Sequence, residues 1–145
     1  MRKCRILLVD DDMEDYLILK DAFQYLGVDI LHYASSAKLA LEKLEQWQSK
    51  DGTLPNIIVL DINMPVMNGP AFLKLLREDP RYYKIPVVIY TTSIYPSDEL
   101  QCMQLGVEYC LTKPGEIEEI IKVGETLLEL CKRSELVNSH QNGKS

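Results

Sequence analysis

Five short apolar runs alternate with stretches of helical periodicity, and that alternation restricts the fold more than any other feature of this chain. The runs are Cys4 to Val9, Asp29 to Ala34, Ile57 to Leu60, Val87 to Tyr90 and Tyr109 to Leu111. Ile57-Ile58-Val59-Leu60 has no polar residue at all, the pattern of a strand buried on both faces. The first intervening helix is predicted over Met13 to Leu26, where Tyr16, Ile18, Leu19, Ala22, Phe23 and Leu26 recur at spacings of three and four. Asp12 is its expected N-cap and Gly27 its stop. A second helix is predicted over Lys38 to Gln48, capped by Ser35 or Ser36, with Leu41, Leu44 and Trp47 inward. A third is predicted over Pro70 to Arg77, with Phe72, Leu73 and Leu76 inward. A fourth starts at Ser97 and stops at Gly106, and a fifth spans Glu116 to Cys131, with Ile117 and Ile120 in its core stripe. This is the alternation of an α/β fold, a doubly wound parallel sheet of five strands covered by five helices. Right-handed crossovers bring all five strand carboxyl ends to one edge. Residues 1–133 read as one domain, and the polar residues 134–145 as a disordered tail.

A length of 145 residues suits a single core. The formal net charge of −6 argues against a nucleic-acid surface, which needs clustered basic groups. No apolar run approaches the roughly 20 residues of a membrane span, so no membrane partner is expected. The four apolar residues Ile6 to Val9, followed by three aspartates, are too few for a signal peptide core. Cys4, Cys102, Cys110 and Cys131 lack metal-ligand spacing and are expected to be reduced, in keeping with a cytoplasmic protein. His32 and His140 are too far apart in sequence to suggest a histidine site.

The polar residues that carry chemistry fall at strand ends. Asp10 and Asp11 follow the first strand, Asp61 the third, Thr91 the fourth and Lys113 the fifth. In open parallel sheets the carboxyl edge is where ligands bind. Three carboxylates meeting there repel one another unless something positive holds them. A hard divalent cation such as Mg²⁺ suits an all-oxygen site. A cation, an ammonium, a hydroxyl and a carboxylate together suit phosphoryl transfer onto Asp61. A calcium loop beginning at Asp10-Asp11-Asp12 is disfavoured, because Asp15 stands where that loop needs glycine.

The ordered set Val9-Asp10-Asp11, Ile57 to Pro65 with Asn68-Gly69 following, Ile85 to Thr92 and Tyr109 to Pro114 resembles the receiver domain of two-component response regulators. The resemblance covers Arg5 to Cys131. It implies the strand order 2-1-3-4-5 and phosphorylation of Asp61 by a sensor histidine kinase or a phosphotransfer protein. It implies Mg²⁺ held by Asp11, Asp61 and the backbone carbonyl of Asn63, with Asp10 acting through water. It implies Thr91 and Lys113 on the phosphoryl group, a cis peptide before Pro114, and output through a surface of the last two strands and last two helices. Such a chain is a single-domain phosphoacceptor that assists its own phosphorylation and dephosphorylation and is not otherwise an enzyme. Its partners are a kinase and a downstream protein target, and a homodimer is compatible with this reading. The loop before Pro55 and the run Tyr90-Thr91-Thr92-Ser93 are similar to the small regulators paired with cyanobacterial phytochromes.

One departure stands out. Receivers commonly place Tyr or Phe three residues before the lysine; here that residue is Cys110, and the aromatic is Tyr109. A one-residue step along a strand reverses the face, so Tyr109 does not inherit the switch role. Two other classes compete. Phosphatases of the haloacid dehalogenase type need a second aspartate two residues after the nucleophile, and Asn63 cannot shuttle that proton. A phosphorylation-independent scaffold is the third reading, kept open by Cys110.

Overall fold

A computed structural model describes residues 4–66 and 68–142. The elements run β1 (Ile6–Val9), α1 (Met13–Tyr25), β2 (Leu31–Ala34), α2 (Ala37–Lys50), β3 (Ile57–Leu60), α3 (Gly69–Glu78), β4 (Val87–Thr91), α4 (Pro96–Gln104), β5 (Tyr109–Thr112) and α5 (Ile117–Asn142). The strands pair in parallel in the order β2-β1-β3-β4-β5, as the alternation and the resemblance imply.

The two-residue period of the strands divides the core into two layers. Leu7, Val9, Ile58, Leu60, Val87 and Ile89 face α2, α3 and α4. Ile6, Leu8, Ile57, Val59, Val88 and Tyr90 face α1 and α5. Every residue of β1, β3 and β4 is buried, whereas β5 is an edge strand with both its end residues exposed. The inward residues expected for α3, namely Phe72, Leu73 and Leu76, are fully buried. Ile18 and Ile117 are not core residues: they are 43% and 65% exposed. Helical spacing admits an apolar stripe wider than the sheet can cover, so the outer members of each stripe face water.

Local signals set the helix starts. Asp12 caps α1, its carboxylate accepting the Glu14 N–H at 2.9 Å. Ser36 caps α2, accepting from Leu39 at 3.1 Å. Asn68 caps α3, accepting from Ala71 at 3.0 Å, so Asn68-Gly69 opens a helix instead of forming a free turn. The last helix does not stop at Cys131, and the tail expected from Ser134 is helical through Asn142. Polar residues do not end a helix by themselves, and Gly143 is the first breaker after Gly124. Residues 143–145 lie outside the described part.

Two further corrections concern covalent geometry. No described peptide bond is cis, so the bond before Pro114 is trans. The Lys113 N–H donates to the Thr91 carbonyl at 2.8 Å, which extends the β4–β5 pairing by one bond to the lysine. Cys4 and Cys131 are paired within disulfide reach, their Cα atoms 6.0 Å apart, where unpaired thiols were expected. Nothing in the spacing signals it, because the two residues meet only through the packing of α5 beside the start of β1. Cys102 and Cys110 are free.

Arg77 clamps two connections at once. Its Nε donates to the Leu105 carbonyl at 2.7 Å, and its Nη1 donates to Ile85 at 2.9 Å and Tyr83 at 3.1 Å. These carbonyls belong to the segments entering β4 and leaving α4, which together position β4 beside β3. Replacing Arg77 with leucine strips donors from several carbonyls and is expected to cost about 2–3 kcal/mol of stability. Arg77→Lys should recover less than half of that, because an ammonium cannot span the same carbonyls. Urea unfolding of the three proteins reads the difference as a shift in midpoint at constant slope.

Candidate functional site

Asp10 and Asp61 are placed by the same local device on neighbouring strands. Each follows the last residue of its strand, and each backbone N–H extends the sheet by one bond: Asp10 to the Ala34 carbonyl at 3.1 Å, Asp61 to the Val9 carbonyl at 2.9 Å. Each carboxylate then turns the chain by accepting the N–H two residues on. Asp10 Oδ1 accepts from Asp12 at 2.9 Å and Asp61 Oδ1 from Asn63 at 3.0 Å. One oxygen of each acid is thereby fixed by backbone, and the other points into the space between the strands. Asp11 stands exposed beside them, and oxygens of Asp10, Asp11 and Asp61 lie within 4.8 Å of one another.

Lys113 fills the gap from β5. Its ammonium lies 2.7 Å from Asp10 Oδ2, 3.1 Å from Asp61 Oδ2 and 2.7 Å from Asp15 Oδ2. The lysine side chain is 7% exposed and that of Asp10 is wholly buried. The Asp10 contact is an ion pair outside hydrogen-bond alignment, which leaves Asp10 Oδ2 buried with no donor. Burial pushes the Asp10 carboxyl up to about 6; the lysine contact and the Asp12 N–H draw it back, and the Asp61 charge adds to the rise. Burial also disfavours the Lys113 ammonium, but Asp10, Asp15 and Asp61 outweigh it and hold the group above the usual lysine value. Tyr90, beneath the lysine at 5.9 Å from ring centroid to Nζ, is driven up to about 12 by burial and by the Asp15 charge.

Thr91 and Asn63 form the wall toward α4. The Asn63 side-chain amide donates to Thr91 Oγ1 at 3.2 Å and to the Ser93 carbonyl at 3.0 Å. The Thr91 hydroxyl donates to that same carbonyl at 3.2 Å, so Asn63, Thr91 and Ser93 move as one unit. The loop beyond Asn63 carries a strained residue: Val66 is fully exposed with φ at 70°, a region β-branched side chains avoid. Gly69 then folds α3 back so tightly that a Cβ there would lie 2.5 Å from the Ile62 Cα.

The structure thus brings together Asp10, Asp11, Asp61, Lys113, Thr91 and Asn63, all named from sequence. Cys110 faces the α3–α4 layer beside Ile89, its neighbour in register, while Tyr109 is at the surface. Sequence reasoning missed Asp15. In the sequence Asp15 carries no signal beyond excluding a calcium loop, apart from its position three residues after the Asp12 cap, which turns it back toward the sheet edge. A hard cation fits this donor set: the oxygens of Asp10, Asp11 and Asp61 converge, and none comes from a soft ligand.

Comparison with known proteins agrees with this geometry. Residues 6–125 match the family model described as the response regulator receiver domain. Response regulator Rcp1 of Synechocystis sp. is 30% identical over 122 residues, covering 81% of this chain and 82% of that protein. A protein-glutamate methylesterase/protein-glutamine glutaminase of Treponema denticola is 35% identical over 135 residues. That match covers 90% of this chain but only 34% of the relative, so the chain spans about a third of that protein. Response regulator Rre1 of Synechocystis sp. is likewise matched over 39% of its length. Among solved structures, the Mn²⁺-bound form of Rcp1 is similar with a TM-score of 0.72 and 27% identity, covering 86% of this chain and 91% of that one. The phosphorylated cyanobacterial phytochrome response regulator RcpA shares the fold with a TM-score of 0.76 at 24% identity, covering 88% and 93%. The strand order, the acidic pair, the strand-end aspartate and the lysine all sit within the matched span, and the chain belongs to the response regulator receiver domain family.

Proposed function

We propose that this receiver accepts a phosphoryl group on Asp61 from a histidine kinase or phosphotransfer protein, in a Mg²⁺-dependent reaction, and reports its state through a protein-binding surface. The observation that carries this reading is the division of labour within Asp61. Oδ1 is tied to the Asn63 N–H at 3.0 Å, while Oδ2 faces Lys113 at 3.1 Å on the carboxyl edge. A nucleophilic oxygen is thereby held still and open on one side.

In the proposed step Asp61 Oδ2 attacks the phosphorus of a phosphohistidine; a P–O bond forms and the P–N bond breaks. Lys113 follows the negative charge from the carboxylate to the phosphoryl oxygens. The Thr91 hydroxyl exchanges its bond to the Ser93 carbonyl for one to the phosphoryl group. Asn63 loses an acceptor in that exchange, so the loops after β3 and β4 respond together. Asp10, Asp11, Asp61 and the Asn63 carbonyl would hold Mg²⁺, which when bound supplies charge against the phosphoryl oxygens. The chain turns over no separate substrate in this reading.

Output through α4, β5 and the neighbouring α5 is supported by exposed apolar side chains on one side of the site. Tyr95 is 76%, Leu100 59% and Met103 61% exposed, and such a patch suits a protein partner. A cytoplasmic setting follows from the proposed kinase partner. No described helix is long and apolar enough to cross a membrane.

Incubation with acetyl phosphate, followed by intact-protein mass, should give one Mg²⁺-dependent phosphoryl adduct that Asp61→Asn abolishes. An adduct of equal yield in Asp61→Asn would refute the assignment. A second prediction follows from Asp10. Its carboxyl is raised in the fold to about 6, so in the metal-free protein its contribution to stability is full below the unfolded value and is lost as pH rises through about 6. Metal binding needs the charged form. Mg²⁺ should therefore raise the melting temperature clearly at about pH 7.5 and far less at about pH 5. Calorimetric titration of Mg²⁺ across this range gives the same midpoint independently.

A further inference from the structure

Lys113 is shared by three carboxylates, and only two of them belong to the group whose oxygens converge for a cation. Asp10 and Asp61 are in that group; Asp15, on α1, is not. Yet Asp15 holds the ammonium at 2.7 Å in an aligned hydrogen bond, closer than Asp61 does at 3.1 Å. A cation that draws on the Asp10 and Asp61 carboxylates competes with the ammonium for both. With no third partner, the lysine would become an unpaired charge in a site where its side chain is 7% exposed. The desolvation cost of that state would count directly against metal binding.

We propose that Asp15 is a positioning residue that receives the Lys113 ammonium when a divalent cation occupies Asp10 and Asp61, and so sets the affinity of the site for Mg²⁺. The inference rests on the phosphoacceptor reading. The Asp15 carboxylate is 27% exposed: accessible enough to be charged without a partner, buried enough to bond the lysine firmly. The Tyr90 ring closes the lysine's other side, which confines the ammonium to the space between α1 and the strand ends. The lysine stays paired throughout, first with three acids and then with Asp15. It remains one short swing from a phosphoryl group on Asp61.

The test is calorimetric titration with Mg²⁺ alone, at about pH 7.5, on the full chain, four single variants and the double variant of Asp15→Asn with Lys113→Met. Asp15→Asn should weaken Mg²⁺ binding by about three- to tenfold, the scale of one charge acting across a partly buried site. Asp15→Glu should restore affinity to within about twofold, since the longer acid can still reach the ammonium. Glu14→Gln removes the same charge one residue away, from an exposed side chain, and should change affinity less than twofold on the same scale. Lys113→Met is the decisive background: there, Asp15→Asn should have no more effect than Glu14→Gln, because Asp15 acts through the lysine. An equal effect of Asp15→Asn with and without Lys113 would overturn the proposal, as would wild-type affinity in Asp15→Asn. If Lys113→Met does not fold, rescue by Asp15→Glu set against Glu14→Gln decides. The acetyl phosphate adduct on wild type separates the two levels. An adduct with unchanged Mg²⁺ affinity in Asp15→Asn sinks only the role of Asp15, whereas no adduct and no Mg²⁺ binding in wild type sinks the phosphoacceptor reading and this inference with it.

Discussion

A single ammonium keeps the carboxyl edge of this sheet from flying apart. Asp10 and Asp61 sit on adjacent strands with little access to water, and like charges so placed repel strongly. Lys113 reaches from β5 past one strand to Asp61 and past two to Asp10, and lowers that repulsion without removing it. The residue of the conflict is visible in the raised Asp10 carboxyl, pushed up by burial despite the lysine beside it.

The rest of the fold serves to hold that conflict in place. The strands are buried on both faces, so their ends cannot retreat, and each acid is pinned by the N–H two residues on. Arg77 ties the approaches to β4 and α4 from the opposite side of the site. Cys4 and Cys131 meet where α5 passes the start of β1, so the layer behind Lys113 packs on the sheet at the end away from the site. Asn63 connects the acid on β3 to Thr91 on β4 through its own side chain. A change at Asp61 therefore reaches β4 through one residue.

The parts legible in the sequence are those governed by short-range pattern. Ile57 to Leu60 reads as a buried strand because a double-faced strand has no room for polar residues. Once the strands are known, parallel topology alone gathers Asp10, Asp61, Thr91 and Lys113. Helix caps at Asp12 and Ser36 depend on neighbours two or three residues away, whereas Asn68 reads as part of a turn and is seen to cap α3 only in the structure. What escaped depends on contacts between distant elements. Asp15 matters only because α1 passes within reach of the residue after β5, 98 positions later. The Cys4–Cys131 link spans 127 positions. The exposure of Ile18 and Ile117 reflects how much of each helix the sheet can cover, which periodicity cannot tell. The trans bond before Pro114 runs against the family pattern.

Val66 gives the loop after Asp61 a property of its own. A valine held with φ at 70° costs on the order of 1–2 kcal/mol against an ordinary backbone conformation. That is about a five- to thirtyfold bias in population. With its side chain fully exposed, Val66 gains no packing against that cost, and a glycine at this position would take the same backbone shape without it.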